Sequence, residues 1–202
     1  MSGHYALLVP VKTWERAKSR LGVPDPQLRQ RLVRAFAYDA VAAAIASEGV
    51  AEVYVVSDEP DLVDTGCTLL PDLGEGDLNR ALSAAAATVA ELRPALGIAA
   101  MCADVPCLTA SDLTIALAEI REAGRSFVAD AAGTGTTLLA VPPGFALDPH
   151  FGIDSARRHR DSGAKGVTAP VRSLRLDVDT TDDLMRAVAL GVGEHTAAAL
   201  RK

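Results

Sequence analysis

Short apolar runs alternate with longer stretches of helical period along the whole 202-residue chain. That alternation restricts the fold more than any other feature. Tyr5–Val11, Val53–Ser57, Thr68–Leu70, Gly97–Ala103, Phe127–Ala129, Thr137–Val141 and Leu174–Val178 read as strands,. Most are separated by enough chain for a crossover helix, and strand-then-helix order favours a mostly parallel sheet with helices on both faces. The expected class is therefore α/β, Rossmann-like and three-layered, with 1–202 as a single domain.

The helical segments carry their own punctuation. Between Leu28 and Ser47, bulk recurs at Leu32, Phe36, Val41 and Ile45, one stripe of a helix that Gly49 follows,. A second helix is expected from Asp77 to about Leu92. Thr109 with Asp112 resembles a capping box ahead of the stripe Leu113, Leu117 and Ile120, and Gly124 closes that helix,. Thr180 and Asp183 open a last one through Leu190, and the Ala-rich tail beyond Gly193 is expected to fray,.

Charge and cysteine usage narrow the function classes. Twenty Lys and Arg against 26 Asp and Glu give a net charge of −6, the wrong sign for a protein built around a nucleic-acid backbone,. The apolar start at Tyr5–Val11 is too short to span a membrane and lacks the basic flank of a signal peptide,. Cys67, Cys102 and Cys107 have no paired metal-ligand spacing, as expected of reduced thiols in a cytoplasmic protein,.

In such a sheet, ligands gather beyond the carboxyl ends of the strands. Charged residues follow the apolar runs at Lys12, Asp58 and Asp104, and Asp177 and Asp179 stand at the last run and its exit. Carboxylates meeting on one edge suit Mg²⁺, which takes a few protein oxygens and completes its octahedron with water and substrate phosphate. Asp104 and Asp177 are the metal candidates. Asp104 precedes Val105-Pro106 and has no evident capping duty, whereas either Asp179 or Thr180 is available as a helix cap. For Asp58, turn chemistry and ligand contact both fit. Lys12, Lys18 and Arg20 directly follow the first strand, where a doubly wound fold covers phosphates, and suit a triphosphate,.

Two stretches read as anion sites made from backbone. In Gly133-Thr-Gly-Thr-Thr137 the glycines let amides approach an oxyanion, with the Thr136 hydroxyl as an added donor,. Phe151-Gly152-Ile-Asp-Ser155 reads as a helix start able to hold a phosphate through Gly152 and Ser155. The alternative is a plain surface helix capped by Asp154 or Ser155, with Arg157, Arg158 and Arg160 solvated and His159 on the surface. Asn79, in Leu73-Gly-Glu-Gly-Asp-Leu-Asn79, can offer a donor and an acceptor to a nucleoside. The chain has no P-loop, no Gly-x-Gly-x-x-Gly after its first strand and no Gly-x-Ser-x-Gly elbow,.

Taken in order, Val9-Pro-Val-Lys12 with Ala17-Lys-Ser-Arg-Leu21, Gly76-Asp-Leu-Asn79, Ala103-Asp-Val-Pro106, Gly133-Thr-Gly-Thr136, Phe151-Gly-Ile-Asp-Ser155 and Asp177-Val-Asp-Thr180 resemble one family over nearly the whole chain. It is the guanylyltransferase family of coenzyme F420 biosynthesis, which acts on phosphoenolpyruvate or 2-phospho-L-lactate and is related to the molybdopterin-guanylyltransferase-like nucleotidyltransferases. The resemblance implies that Asp104 and Asp177 hold Mg²⁺ and that Lys12 and Lys18 meet the phosphates of GTP. It also implies that Thr136, Gly152 and Ser155 grip the phosphorylated acid and that Asn79 contacts the nucleoside. Lys12, Lys18 and Asp104 are then the expected catalytic residues, phosphoenolpyruvate the expected acceptor, and a downstream pathway enzyme a further partner. Two departures stand out: Ala103 where relatives often have Gly, and Asp77 inside a usual Gly-Leu-Asn. The competing readings are a nucleotidyltransferase for a sugar phosphate or molybdopterin and a nucleotide-binding regulatory module.

Overall fold

The computed structural model describes residues 4–12, 21–59 and 66–201. Seven strands form one sheet in the order β3-β2-β1-β4-β6-β5-β7. They are β1 (Tyr5–Pro10), β2 (Val50–Val56), β3 (Thr68–Leu70), β4 (Gly97–Met101), β5 (Ser126–Ala129), β6 (Thr136–Val141) and β7 (Lys165–Gly166). All run parallel except β6, which lies antiparallel between β4 and β5. Reversing β6 puts its first residue, Thr136, at the edge where β1, β2, β4 and β5 end.

Helices α1 (Pro26–Ile45), α2 (Leu78–Leu92), α3 (Ala110–Ala123), α4 (Ser155–Asp161), α5 (Arg172–Arg175), α6 (Thr181–Leu190) and α7 (Glu194–Leu200) complete the fold. The sheet buries both faces, which is why its strands read as nearly unbroken apolar runs. Leu7, Val9, Val55, Met101 and Leu138 pack with Val41 of α1 and Leu113 and Leu117 of α3. The alternate residues Ala6, Leu8, Val56, Ala100 and Leu139 pack with Leu82 and Val89 of α2 on the other face. Burying a side chain the size of Leu8 contributes ~2 kcal/mol relative to leaving it in water.

Local signals set most helix ends. Asp25 caps α1 by accepting from Gln27 N–H, with Pro26 at the first helical position,. Asp77 caps α2 through Asn79 and Arg80 N–H, which accounts for the acidic residue inside the Gly-Leu-Asn pattern. Thr180 and Asp183 form the full capping box of α6, leaving neither Asp177 nor Asp179 in that duty. At α3, Thr109 caps, but Asp112 turns away to hold Ser173 N–H at 2.9 Å and its hydroxyl at 2.7 Å.

Two expectations fail here. Leu174–Val178 is not a strand: it begins in α5 and continues as irregular chain, although Leu174, Leu176 and Val178 are buried as the alternation suggested. Ser173 is held by Asp112, the Arg175 side chain donates to the carbonyls of Ala129 and Val167, and single main-chain bonds join Ala131 N–H to Arg175 O and Val178 N–H to Asp104 O, so the segment is fastened at separate points instead of by a ladder. The Ala-rich tail is helical as α7. Asp39, buried in the middle of α1, accepts from His195 N–H at 3.0 Å and Thr196 N–H at 2.9 Å, capping a helix more than 150 positions away.

Candidate active site

The carboxyl edge of the sheet opens into a cleft of about 320 Å³ between the ends of β1 and β4, lined by Lys12, Val33, Phe36, Leu78, Ala103 and Asp104 among others. The chain goes from β1 to β2 on one side and later enters β4 on the other, so this is the switch point where such sheets leave a crevice,. Lys12, one residue beyond Val11, is exposed at its rim. Lys18 and Arg20 lie outside the described residues.

Asp104 is half-buried, with its Oδ1 shut off from solvent. Its carbonyl accepts the Val178 N–H at 2.9 Å, which brings the 177–179 segment against the end of β4. Asp177 is half-buried and Asp179 exposed. Burial, followed by the charges of Asp104, Asp179 and Asp130, pushes the Asp177 carboxyl up to about 7,. Asp177 also lines a second cavity of about 200 Å³ with Asp130, Asp179, Asp183 and Arg186. Two carboxylates that repel each other when both are ionised are a hard-oxygen donor set that a divalent cation would relieve. Among the described residues no group of three His, Cys, Asp or Glu side chains is arranged to hold a metal ion. A pair of carboxylates fits an ion that takes its other ligands from water and phosphate.

The second half of the site is built from β6 and α4. Ala156 N–H donates to Thr134 O at 3.0 Å and Ser155 N–H to Gly152 O at 3.1 Å, so the glycine loop before β6 and the turn before α4 meet. Thr136 and Ser155 are both buried. His159 is fully buried, not on the surface, with its ring 5.2 Å from that of Phe151. Its Nε2 accepts the His150 N–H at 2.9 Å, so in the neutral ring the proton sits on Nδ1, which donates to Thr136 Oγ1 at 2.9 Å,. Burial, reinforced by the positive charges of Arg125, His150 and Arg158, holds the imidazole down at about 4. The Thr136 hydroxyl is thereby left to donate its own proton toward a ligand.

The glycine loop differs from the expected amide cradle. Asp130, at the exit of β5, accepts Thr134 N–H at 2.9 Å and Gly135 N–H at 2.8 Å through its carboxylate and Gly133 N–H at 3.1 Å through its carbonyl. Asp130 thus holds the amides proposed for an oxyanion, and the threonine hydroxyls of the motif, that of Thr136 among them, are left as donors. Sequence reasoning missed Asp130, although an aspartate directly after the apolar run Phe127–Ala129 repeats the pattern that singled out Asp58 and Asp104.

The other candidates divide. Asp58 accepts Asp72 N–H at 3.2 Å and ties the exits of β2 and β3 together, a turn function. Asn79 is bonded to a main chain: its Oδ1 accepts Phe151 N–H at 2.7 Å and its Nδ2 donates to Phe151 O at 3.1 Å. Arg158 is not simply solvated; it is half-buried, with Nη2 also on Phe151 O at 2.9 Å. Arg157 and Arg160 are exposed. The three cysteines form no disulfide, and no described helix is long and apolar enough to cross a membrane.

A family model described as "Guanylyl transferase CofC like" matches residues 5–202. A protein of Streptomyces coelicolor named phosphoenolpyruvate guanylyltransferase is 48% identical over 200 residues, covering 96% of this chain and 94% of its own length. Among solved structures, a nucleotidyl transferase from Methanothermobacter thermautotroptrophicus aligns with a TM-score of 0.54 at 15% identity, over 98% of both chains. Rv0371C of Mycobacterium tuberculosis H37Rv, solved as a complex with manganese, aligns with a TM-score of 0.54 at 19% identity, over 94% of this chain and 100% of that one. At these identities the two structures speak for the fold alone.

Proposed function

The chain belongs to the CofC-like guanylyl transferase family, and from that premise we propose that it transfers GMP from GTP to phosphoenolpyruvate, releasing pyrophosphate, in the biosynthesis of coenzyme F420. Supporting the reading in the structure is Asp104, which lines the cleft that Lys12 rims and whose main-chain bond to Val178 brings Asp177 within range of its charge. The acceptor is named from the nearly full-length similarity to phosphoenolpyruvate guanylyltransferases.

The residues have distinct duties in this proposal. Asp104 and Asp177 would hold Mg²⁺, and when bound the ion supplies positive charge between two polyanions that must approach each other. Lys12 and Lys18 draw the triphosphate into the cleft. Thr136 donates its hydroxyl proton, oriented by His159, to the acceptor, and Gly152 and Ser155 hold the acceptor from the turn before α4. A phosphate oxygen of the acid attacks the α-phosphorus of GTP, the bond to the bridging oxygen breaks, and pyrophosphate leaves with its electron pair. A phosphate monoester with its second pKa near ~6 is largely dianionic at neutral pH, so the attack needs no general base. Alignment of two bound reactants in line supplies the acceleration. A cytoplasmic setting, a single domain over 1–202, and delivery of the activated guanylyl diphosphodiester to a downstream enzyme belong to the same proposal. Asn79 as a nucleoside contact would have to use the second lone pair and the second N–H of an amide already bonded to Phe151.

The test is incubation with GTP, Mg²⁺ and, separately, phosphoenolpyruvate, 2-phospho-L-lactate and 3-phosphoglycerate, following pyrophosphate. Release with phosphoenolpyruvate ahead of the others is expected. Release with another acid only would move the acceptor, and release with none would remove the proposal.

A further inference from the structure

The Phe151–Gly152 peptide is gripped from two helices. Asn79, in the first turn of α2, brackets Phe151 on both sides, accepting its N–H at 2.7 Å and donating to its carbonyl at 3.1 Å. Arg158, on α4, donates Nη2 to the same carbonyl at 2.9 Å. The carbonyl oxygen therefore has both lone-pair directions filled, and the plane of the following peptide cannot rotate without losing two bonds at once. That peptide is trans, so the Gly152 N–H points away from Asn79 and Arg158. Among the described residues no acceptor is bonded to this N–H.

Glycine is required at 152 for two separate reasons. Its φ is +113°, where side chains are rarely tolerated, and a Cβ would stand 3.1 Å from Arg158 Nη2,. The clamp and the residue it orients are thus fitted to each other. Arg158 Nε is buried without a hydrogen-bond partner, which keeps a strong donor dehydrated and raises the local positive potential beside Gly152.

We infer that Asn79 and Arg158 are positioning residues for the acceptor: together they fix the Phe151–Gly152 peptide so that the Gly152 N–H is aimed at an anionic oxygen of the phosphorylated acid. The inference rests on the proposed acceptor site at Gly152. It makes Asn79, at the start of the helix beside the nucleotide cleft, act on the other substrate. Neither side chain touches the reacting atoms in this scheme; both act through a peptide plane.

The experiment is steady-state kinetics with GTP and phosphoenolpyruvate on Asn79→Ala, Arg158→Ala and Arg158→Lys, with the Gly152 amide resonance of the ligand-free proteins recorded by ¹⁵N NMR. Loss of one hydrogen bond to the carbonyl is expected to raise the KM for phosphoenolpyruvate by about tenfold in each alanine variant, leaving the KM for GTP within about twofold. Arg158→Lys, which keeps a cationic donor, should recover part of the loss. In both alanine variants the Gly152 resonance should shift or broaden. A KM for GTP that rises as much as that for phosphoenolpyruvate in Asn79→Ala overturns the inference and returns Asn79 to the nucleoside. An unchanged Gly152 resonance in both variants overturns the clamp whatever acid the enzyme uses. Wild-type protein that turns over no acid, with the Gly152 shift intact in the variants, removes the proposed function and leaves the clamp standing. If Asn79→Ala does not fold, Arg158→Ala decides by the same two readouts.

Discussion

The carbonyl of Asp104 accepts the N–H of Val178 at 2.9 Å, so a residue at the end of β4 and the segment carrying Asp177 and Asp179 are joined through the main chain. That bond leaves the Asp104 side chain out of the join, and it sets the two carboxylates near enough that Asp104 raises the proton affinity of Asp177. Main-chain scaffolding and side-chain chemistry are separated at this point.

From that separation, Asp104→Asn is expected to leave the fold intact and lower turnover by roughly a hundredfold or more, the scale of loss when charge stabilisation of a transferring group is removed. Circular dichroism and pyrophosphate release read the two halves. Retained activity with unchanged Mg²⁺ dependence would contradict the role given to Asp104.

Asp177 makes the metal-free protein sensitive to pH in a particular direction. Its folded pKa of about 7 lies above the ordinary 3.8, so between these values the folded state binds more protons than the unfolded one. Stability from this group is present below about pH 4 and is lost as pH rises toward 7. Asp177→Asn should therefore stabilise the metal-free protein at pH 8, by on the order of 1 kcal/mol or ~3 °C in Tm, while abolishing turnover. Thermal melts in chelator at pH 5 and 8 check it; equal effects at both values would refute the coupling.

His159 works in the opposite sense. With its folded pKa lowered from 6.5 to about 4, the unfolded chain binds more protons between these values, so this contribution is complete above 6.5 and declines as pH falls toward 4. Urea melts from pH 7 to 4 should show a stability loss that is shallower in His159→Gln. The same variant, by releasing Thr136, should raise the KM for the acid more than that for GTP.

Asp39→Ala is expected to detach α7 without disturbing the sheet, since it removes the carboxylate that holds two N–H groups at that helix start. Loss of a cap costs about 1–2 kcal/mol. Hydrogen exchange should rise at residues 194–200 and stay unchanged in β1 and β4; uniform protection would count against this capping role.

Ser155→Ala should weaken the phosphorylated acid more than GTP, because Ser155 is buried beside Gly152 on the α4 side of the site. Separate titrations of the two KM values measure it. Equal loss for both would mean that the two ligands had been assigned to the wrong halves.

Much of the architecture was legible in the chain itself. Apolar runs bounded by Lys12, Asp58 and Asp104 marked the strands and their exits, and Asp77, Thr109 and Thr180 marked helix starts, because each of these signals acts between residues close in sequence. Only the tertiary structure decided what depends on distant partners. The reversal of β6 carried Thr136 to the site edge, Asp130 took the amides of the glycine loop, and Asn79 turned to Phe151, 72 positions away. Asp39 likewise made a helix of a tail that its own composition left to fray. A polar side chain near a main chain will bond to whatever the fold brings within reach, and its own neighbours in sequence carry no record of which group that is.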